Sequence, residues 1–298
     1  PMTLTRIVVQ WVYGQSGFDE MTNVGRLLSA AFDVLSVITV FLIGTRLYGR
    51  KAGLLGAAFL AVTVMHIQQS HFFTTDTFIT FFTVLSLYFA VSISMQRGEW
   101  ISLKKFYAHP LFLPSLAFGL ALGMAVASKL NAFLVAGMLP VALFIRLMRM
   151  PAAKRSRLLP QALFFLVLAA LTSLVVFRIC QPYAFEGPGF FNVGLRSEWL
   201  DSIKSLYAQQ RDLDVDFPPQ WQWARRSLGY SGKNLVLWGF GLPLGLLAWA
   251  GFAWAGWQAL AALNRSHAWQ KHGVLWIWTA VYFGYQSLAP NPTMRYQM

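Results

Sequence analysis

The sequence predicts an all-α fold: a polytopic transmembrane helical bundle of about eight spans, with one larger loop region on its outer face. Three observations carry this. Of 298 residues, 56% are hydrophobic and only 12% charged, against about 25% charged in a soluble domain. The hydrophobic residues come in blocks near the ~20 residues that cross a bilayer as a helix. The basic residues fall in short connections that alternate along the chain.

The apolar blocks lie at about 27–45, 53–65, 77–95, 112–127, 130–145, 160–180, 235–262 and 273–289. Blocks 53–65 and 112–127 are short for a full span, which tilt or a depression in the protein surface would accommodate. Between them, the connections 46–52, 96–111, 146–158 and 263–272 hold Arg46, Arg50, Lys51, Arg97, Lys104, Lys105, Arg146, Arg149, Lys154, Arg155, Arg157, Arg265 and Lys271. One acid, Glu99, accompanies them, so these connections read as cytoplasmic. Residues 1–25, 66–76, 128–131, 181–234 and 290–298 then face outward, with Asp19, Glu20, Asp76, Glu186, Glu198, Asp201, Asp212, Asp214 and Asp216. Only Asp33 falls within a span, where it reads as a helix–helix hydrogen-bond partner.

The net charge of +13 is thus an inner-face bias and calls for no nucleic acid. The single cysteine, Cys180, excludes an intrachain disulfide and a thiolate metal site. The chain reads as one integral membrane domain, 1–298. It begins at Pro1 without a signal-peptide pattern and ends just after an apolar run, so both ends are expected to be cuts in a longer protein.

The outer segment 181–234 contains "SEWLDSIKSLYAQQR", whose Trp199, Leu200, Ile203, Leu206 and Tyr207 share one helical face. Ser197 reads as its N-cap, and a short helix lying on the membrane surface is expected. Asp212, Asp214 and Asp216 lack the glycine and spacing of a calcium loop and read as solvated surface. Trp221 and Trp223 read as interfacial aromatics.

Functional candidates gather in "HIQQSHFFTTDTF", residues 66–78, between two hydrocarbon stretches. Asp76, near the outer N-terminus of a helix, is either a first-turn acid favoured by the helix dipole or a general base. Capping needs one polar residue; here Asp76 comes with His66, Gln68, Gln69, Ser70 and His71. His71 is the second catalytic candidate, and Gln69 and His66 are substrate-binding candidates. A divalent metal on His66, His71 and Asp76 is possible chemistry, but polar sugar or phosphate binding is the preferred reading, with no metal ligands assigned. Lys129, alone in "AVASKLNAF" on the outer side, departs from the charge bias and reads as a point charge for phosphate. Arg26 and Arg295 are further outer cations suited to phosphate, and Glu186, in the shaped loop "QPYAFEGPGFF", is an acceptor-binding candidate.

The stretch "GRLLSAAFDVLSVITVFLIGTRLYGRKAGLLGAAFLAVTVMHIQQSHFFTTDTFITFFTVLSLYFA" resembles the core of the polytopic GT-C glycosyltransferases, which include protein O-mannosyltransferases and the aminoarabinose transferases of lipid A. "GLALGMAVASKLNAFLV" resembles their next helix pair, and "QPYAFEGPGFF" and "MRYQM" resemble segments of bacterial members. The resemblance implies a multi-pass protein of a bacterial inner or plasma membrane. Its implied activity moves a hexose or pentose, with inversion, from a polyprenyl-phosphate-linked donor to a protein, glycan or lipid on the outer face. The family's principal acid lies in an outer loop after a first helix, and this chain is expected to begin after that helix. Asp19 and Glu20 lie too close to Arg26 to match that spacing. Asp76 matches a second outer-face acid of the family.

Two other functions are weighed. A transporter or flippase of a lipid-linked or small polar substrate predicts ionisable groups near the midplane and matching broken helices in two halves. A non-catalytic scaffold has no need for Asp76, Lys129 and the histidines to converge.

Overall fold

A computed structural model describes residues 1–96, 103–187, 189–211, 226–227, 229–261 and 269–289. The described residues form an all-α bundle whose only strand-like feature is one bridge, Phe185 to Leu195. Its helices are α1 (Met2–Tyr13), α2 (Phe18–Tyr48), α3 (Arg50–Ala61), α4 (Val64–Ser70), α5 (Asp76–Met95), α6 (Phe112–Ser128), α7 (Met138–Met148), α8 (Ala152–Cys180), α9 (Ser197–Arg211), α10 (Tyr230–Asn234), α11 (Leu242–Ala261) and α12 (Val274–Ser287). Short 3₁₀ segments cover Leu103–Ala108, Leu130–Gly137 and Pro182–Ala184, and π turns cover Leu235–Gly239 and Trp269–Gly273.

The helices are apolar on both sides, as expected where lipid replaces water. On α8, Ala162, Phe165 and Ala169 are buried, while Leu163, Val167, Leu171 and Leu174 form an outward stripe about half exposed. Among the described residues, four helical stretches are long and apolar enough to cross a membrane: Phe18–Tyr48, Asp76–Met95, Leu130–Met148 and Leu158–Cys180. Arg50–Ala61 and Val64–Ser70 make a fifth if taken as one span bent by 62°. The eight expected spans are therefore reached only by counting the short α6 and the interrupted helices near the C-terminus.

Several boundaries differ from expectation. Residues 1–25, read as an outer segment, contain α1 and the first turns of α2. At 31 residues, α2 is about 46 Å long, well beyond a ~30 Å hydrocarbon core, so its polar first turns project past the lipid. The block 53–65 is short because its chain bends between α3 and α4. The block 235–262 is broken after its π turn at Gly241, whose φ of 82° is the left-handed conformation glycine tolerates. The helix expected over "SEWLDSIKSLYAQQR" is present as α9, but Ser197 is its first helical residue, with its hydroxyl bonded to Glu198 at 3.3 Å.

Packing around α6 sets the geometry of the end where α5 begins and α6 stops. Gly119 and Gly123 lie one turn apart on α6, and α8 closes directly on them. A Cβ on Gly119 would fall 2.4 Å from the Ala169 carbonyl oxygen, and one on Gly123 would fall 2.7 Å from that of Ser173. This is the small-residue contact by which membrane helices bring backbones together. On the other side, Phe32 of α2 packs against Phe78, Phe81 and Phe82 of α5, with ring centroids 4.4, 5.4 and 5.5 Å away. The first turns of α5 are thereby held against α2, and the core continues through Leu87, Val91, Phe118, Leu139 and Phe165.

Candidate active site

Asp76 is the first residue of α5 and is 2% exposed. Thr75, the residue before it, makes no side-chain cap, and the Asp76 carboxylate reaches a residue outside its own helix. It accepts a hydrogen bond from Lys129 Nζ at 2.9 Å. The dipole of α5 favours the carboxylate, but its specific partner comes from another helix.

Lys129 is placed by the end of α6. Its backbone is extended, at φ −160° and ψ 128°, so α6 stops at Ser128 and the next segment leaves as a 3₁₀ helix. Gln181 Nε2, just past α8, donates to the Ala127 carbonyl at 2.7 Å and ties that end of α8 to the same turn. The pair is asymmetric: the Lys129 side chain is 26% exposed and that of Asp76 is 3%. The cation is therefore the accessible member and the carboxylate lies beneath it.

Two further residues adjoin the pair. Asn131 Nδ2 donates to the Tyr282 hydroxyl at 3.4 Å, and the Asp76 charge acts on that phenol. Tyr282 is held on α12 by Trp278, whose ring stacks on it at 4.7 Å and 17°. Around Asp76, the hydroxyl oxygens of Thr74, Thr77 and Thr80 are buried without a hydrogen-bond partner, as is Asn131 Oδ1. Buried polar atoms are nearly always bonded, so this group of unmet oxygens makes the end of α5 a candidate for binding a polar ligand.

The other candidates lie elsewhere. His66 Nδ1 bonds Asp33 Oδ1 at 2.8 Å, fastening α4 to α2. Asp33 thus does the helix–helix work expected of it, and His66, read as substrate-binding, has a structural partner. His71 is exposed at the end of α4, with Nδ1 bonded to the Ile67 carbonyl at 2.6 Å, and is not joined to Asp76. Gln69 is half-buried, and Arg26 and Glu186 are exposed. Arg295, Asp212, Asp214, Asp216, Trp221, Trp223 and Arg265 lie outside the described residues. Among the described residues no three His, Cys, Asp or Glu side chains are grouped to hold a metal ion. The set of His66, His71 and Asp76 does not assemble, because each side chain faces a different partner.

Sequence reasoning missed Tyr282, hidden in the aromatic run "VYFGYQS", and Asn131, although its place two residues after Lys129 was a usable signal. It also missed Arg178, in the last turn of α8. Arg178 Nη2 donates to the Gly189 carbonyl at 2.8 Å and its guanidinium lies 4.8 Å over the Phe185 ring. It holds Phe185 and Gly189 against the C-terminal end of α8.

The dolichyl-phosphate-mannose-protein mannosyltransferase family model matches residues 6–188, more than half of the chain. The chain belongs to this family. The match includes Asp76 and Lys129 and ends before α12, which carries Tyr282. Comparison with curated proteins finds no match. Among solved structures, ArnT from Cupriavidus metallidurans is similar in its apo state, with a TM-score of 0.57 and 17% identity over 99% of this chain and 45% of ArnT. The same protein bound to undecaprenyl phosphate is similar with a TM-score of 0.56 and 17% identity, over 99% of this chain and 46% of ArnT. This mannosyltransferase-family chain therefore shares the polytopic fold and spans less than half the length of those structures.

Proposed function

We propose that this chain is part of a membrane glycosyltransferase that moves a sugar from a polyprenyl-phosphate-linked donor to an acceptor hydroxyl on the outer face. The observation that carries the proposal is the Asp76–Lys129 pair at 2.9 Å, with the acid buried, the base accessible and unmet hydrogen-bonding atoms beside them. Family membership and the fold shared with an undecaprenyl-phosphate-bound ArnT support the donor class.

The reaction has two electrostatic demands. The acceptor oxygen must lose its proton as it attacks the anomeric carbon, and the phosphate must accept the electron pair of the breaking carbon–oxygen bond. Lys129, the exposed partner, meets the phosphate and neutralises its growing charge. Lys129 contacting phosphate frees Asp76 to take the acceptor proton. A single displacement inverts the anomeric centre. Thr77, Thr80 and Asn131, whose side-chain oxygens are buried without partners, supply hydrogen bonds for sugar hydroxyls. A lipid donor accounts for a site at the membrane edge, in this reading of a bacterial inner or plasma membrane.

The test is transfer from a synthetic polyprenyl-phosphate sugar by the full-length protein and its D76N and K129M variants. Each substitution is expected to lower kcat by roughly 10²–10⁴-fold. Wild-type turnover in both variants would remove the pair from the reaction.

A further inference from the structure

At the opposite end of the bundle, Arg146 lies in the last turn of α7 and is 1% exposed. The charge pattern makes this the cytoplasmic end. An arginine cannot escape burial by losing its proton, so its charge needs acceptors. Neither Nε nor Nη1 has a hydrogen-bond partner among the described residues.

The neighbouring polar groups do not provide one. His109 is 3% exposed and its Nδ1 accepts the Leu111 N–H at 3.0 Å. The ring proton is therefore on Nε2, which donates to Gln161 Oε1 at 3.3 Å. The acceptor atoms of this histidine and amide are committed to each other and to the backbone. The described carboxylates are distant by topology: Asp19 and Glu20 lie in the first turn of α2 and Asp76 opens α5 at the outer end, Asp33 is bonded to His66, and Glu186, Glu198 and Asp201 follow α8. Lys154 and Arg155 follow closely in sequence and add only positive charge.

We propose that Arg146 is the recognition group of an oxyanion-binding site at the cytoplasmic end of the bundle, and that the site takes a phosphate group. A guanidinium with buried, unpartnered donors on two of its nitrogens suits phosphate oxygens. The phosphate comes either from the headgroup of an anionic lipid in the inner leaflet or from solution. Along the Leu130–Met148 span the site is on the order of 25 Å from Lys129, so it is separate from the outer pair and does not depend on the proposed transferase reaction.

The experiment compares the full-length protein in nanodiscs of phosphatidylcholine alone and of phosphatidylcholine with one-fifth phosphatidylglycerol, read by thermal midpoint. A second arm titrates inorganic phosphate into detergent-purified protein at constant ionic strength. A lipid site raises the wild-type midpoint by several degrees in the anionic discs. A site for free phosphate raises it in the titration instead. Either response should be lost in R146Q and kept in D76N. If R146Q does not fold, R146K should respond at least tenfold more weakly. Indifference of the wild type to both phosphatidylglycerol and phosphate overturns the proposal. So does a wild-type response in R146Q, or in R146K where that is the variant used.

Discussion

Asp76 and Lys129 are 53 positions apart in the chain and 2.9 Å apart in the fold, one opening α5 and the other closing α6. The contact joins the N-terminus of one helix to the C-terminus of its packed, antiparallel neighbour. Each position alone has an ordinary explanation, as a first-turn acid and as a snorkelling lysine. Together they make a charged contact on a buried carboxylate.

The pair separates a structural role from a chemical one. K129M removes the cation from a buried carboxylate, at a cost of about 3–5 kcal/mol. The double variant D76L/K129M removes both charges and is expected to recover most of that stability while remaining inactive. Chemical denaturation in detergent together with the transfer assay checks this. Recovery of activity in the double variant would show that the pair only holds the helices.

The Asp33–His66 bond is expected to behave differently. At 2.8 Å it links α2 to α4 with both side chains largely buried. D33N or H66F leaves a partner unsatisfied and should cost about 1–3 kcal/mol. Loss of the bond should loosen α4 without touching donor phosphate, so kcat per folded molecule should stay within about threefold of wild type. A loss of kcat comparable to that of D76N would move His66 into the reaction.

Gly119 is a strict packing constraint. A valine there would drive its Cβ into the Ala169 carbonyl, which is backbone and cannot rotate aside. Overpacking of this kind costs about 1–3 kcal/mol or more, and the separation of α6 from α8 would also shift Lys129. G119V should therefore lower both the unfolding midpoint and transfer. G137V, where a Cβ meets nothing within 4 Å, is the control expected to keep its packing.

Much of this arrangement was legible because hydropathy and charge report the solvent around each segment. Asp76 and Lys129 stood out as lone ionisable residues beside apolar runs on the outer side, and Asp33 as an acid inside one. The start of α2 was not legible, because "FDEMTNVG" is polar and hydropathy marks where lipid ends, not where a helix ends. Tyr282 was hidden because an aromatic residue near an interface reads as belt. Arg146 counted towards the inner-face charge, and nothing in its sequence setting separates a solvated cation from a buried one. Its burial follows from how α7 packs in the bundle, a property of the whole fold.

His109 makes the fold sensitive to acid. Burial pushes its pKa below the ordinary histidine value; the Gln161 hydrogen bond pulls part of the way back up, and the Arg146 charge adds a lesser downward push. Above about pH 6.5 the ring is neutral in both folded and unfolded chains and has no effect on stability. As pH falls below that value, the unfolded chain takes up a proton that the folded chain resists, so stability falls. His272, also lowered by burial and by Lys271, acts in the same direction. Between pH 7.5 and 5.5 the wild-type unfolding midpoint should drop, and H109Q should drop less while keeping part of the His272 response. Equal acid sensitivity in wild type and H109Q would mean that the His109 site admits the proton, with the ring breaking its bond to the Leu111 N–H.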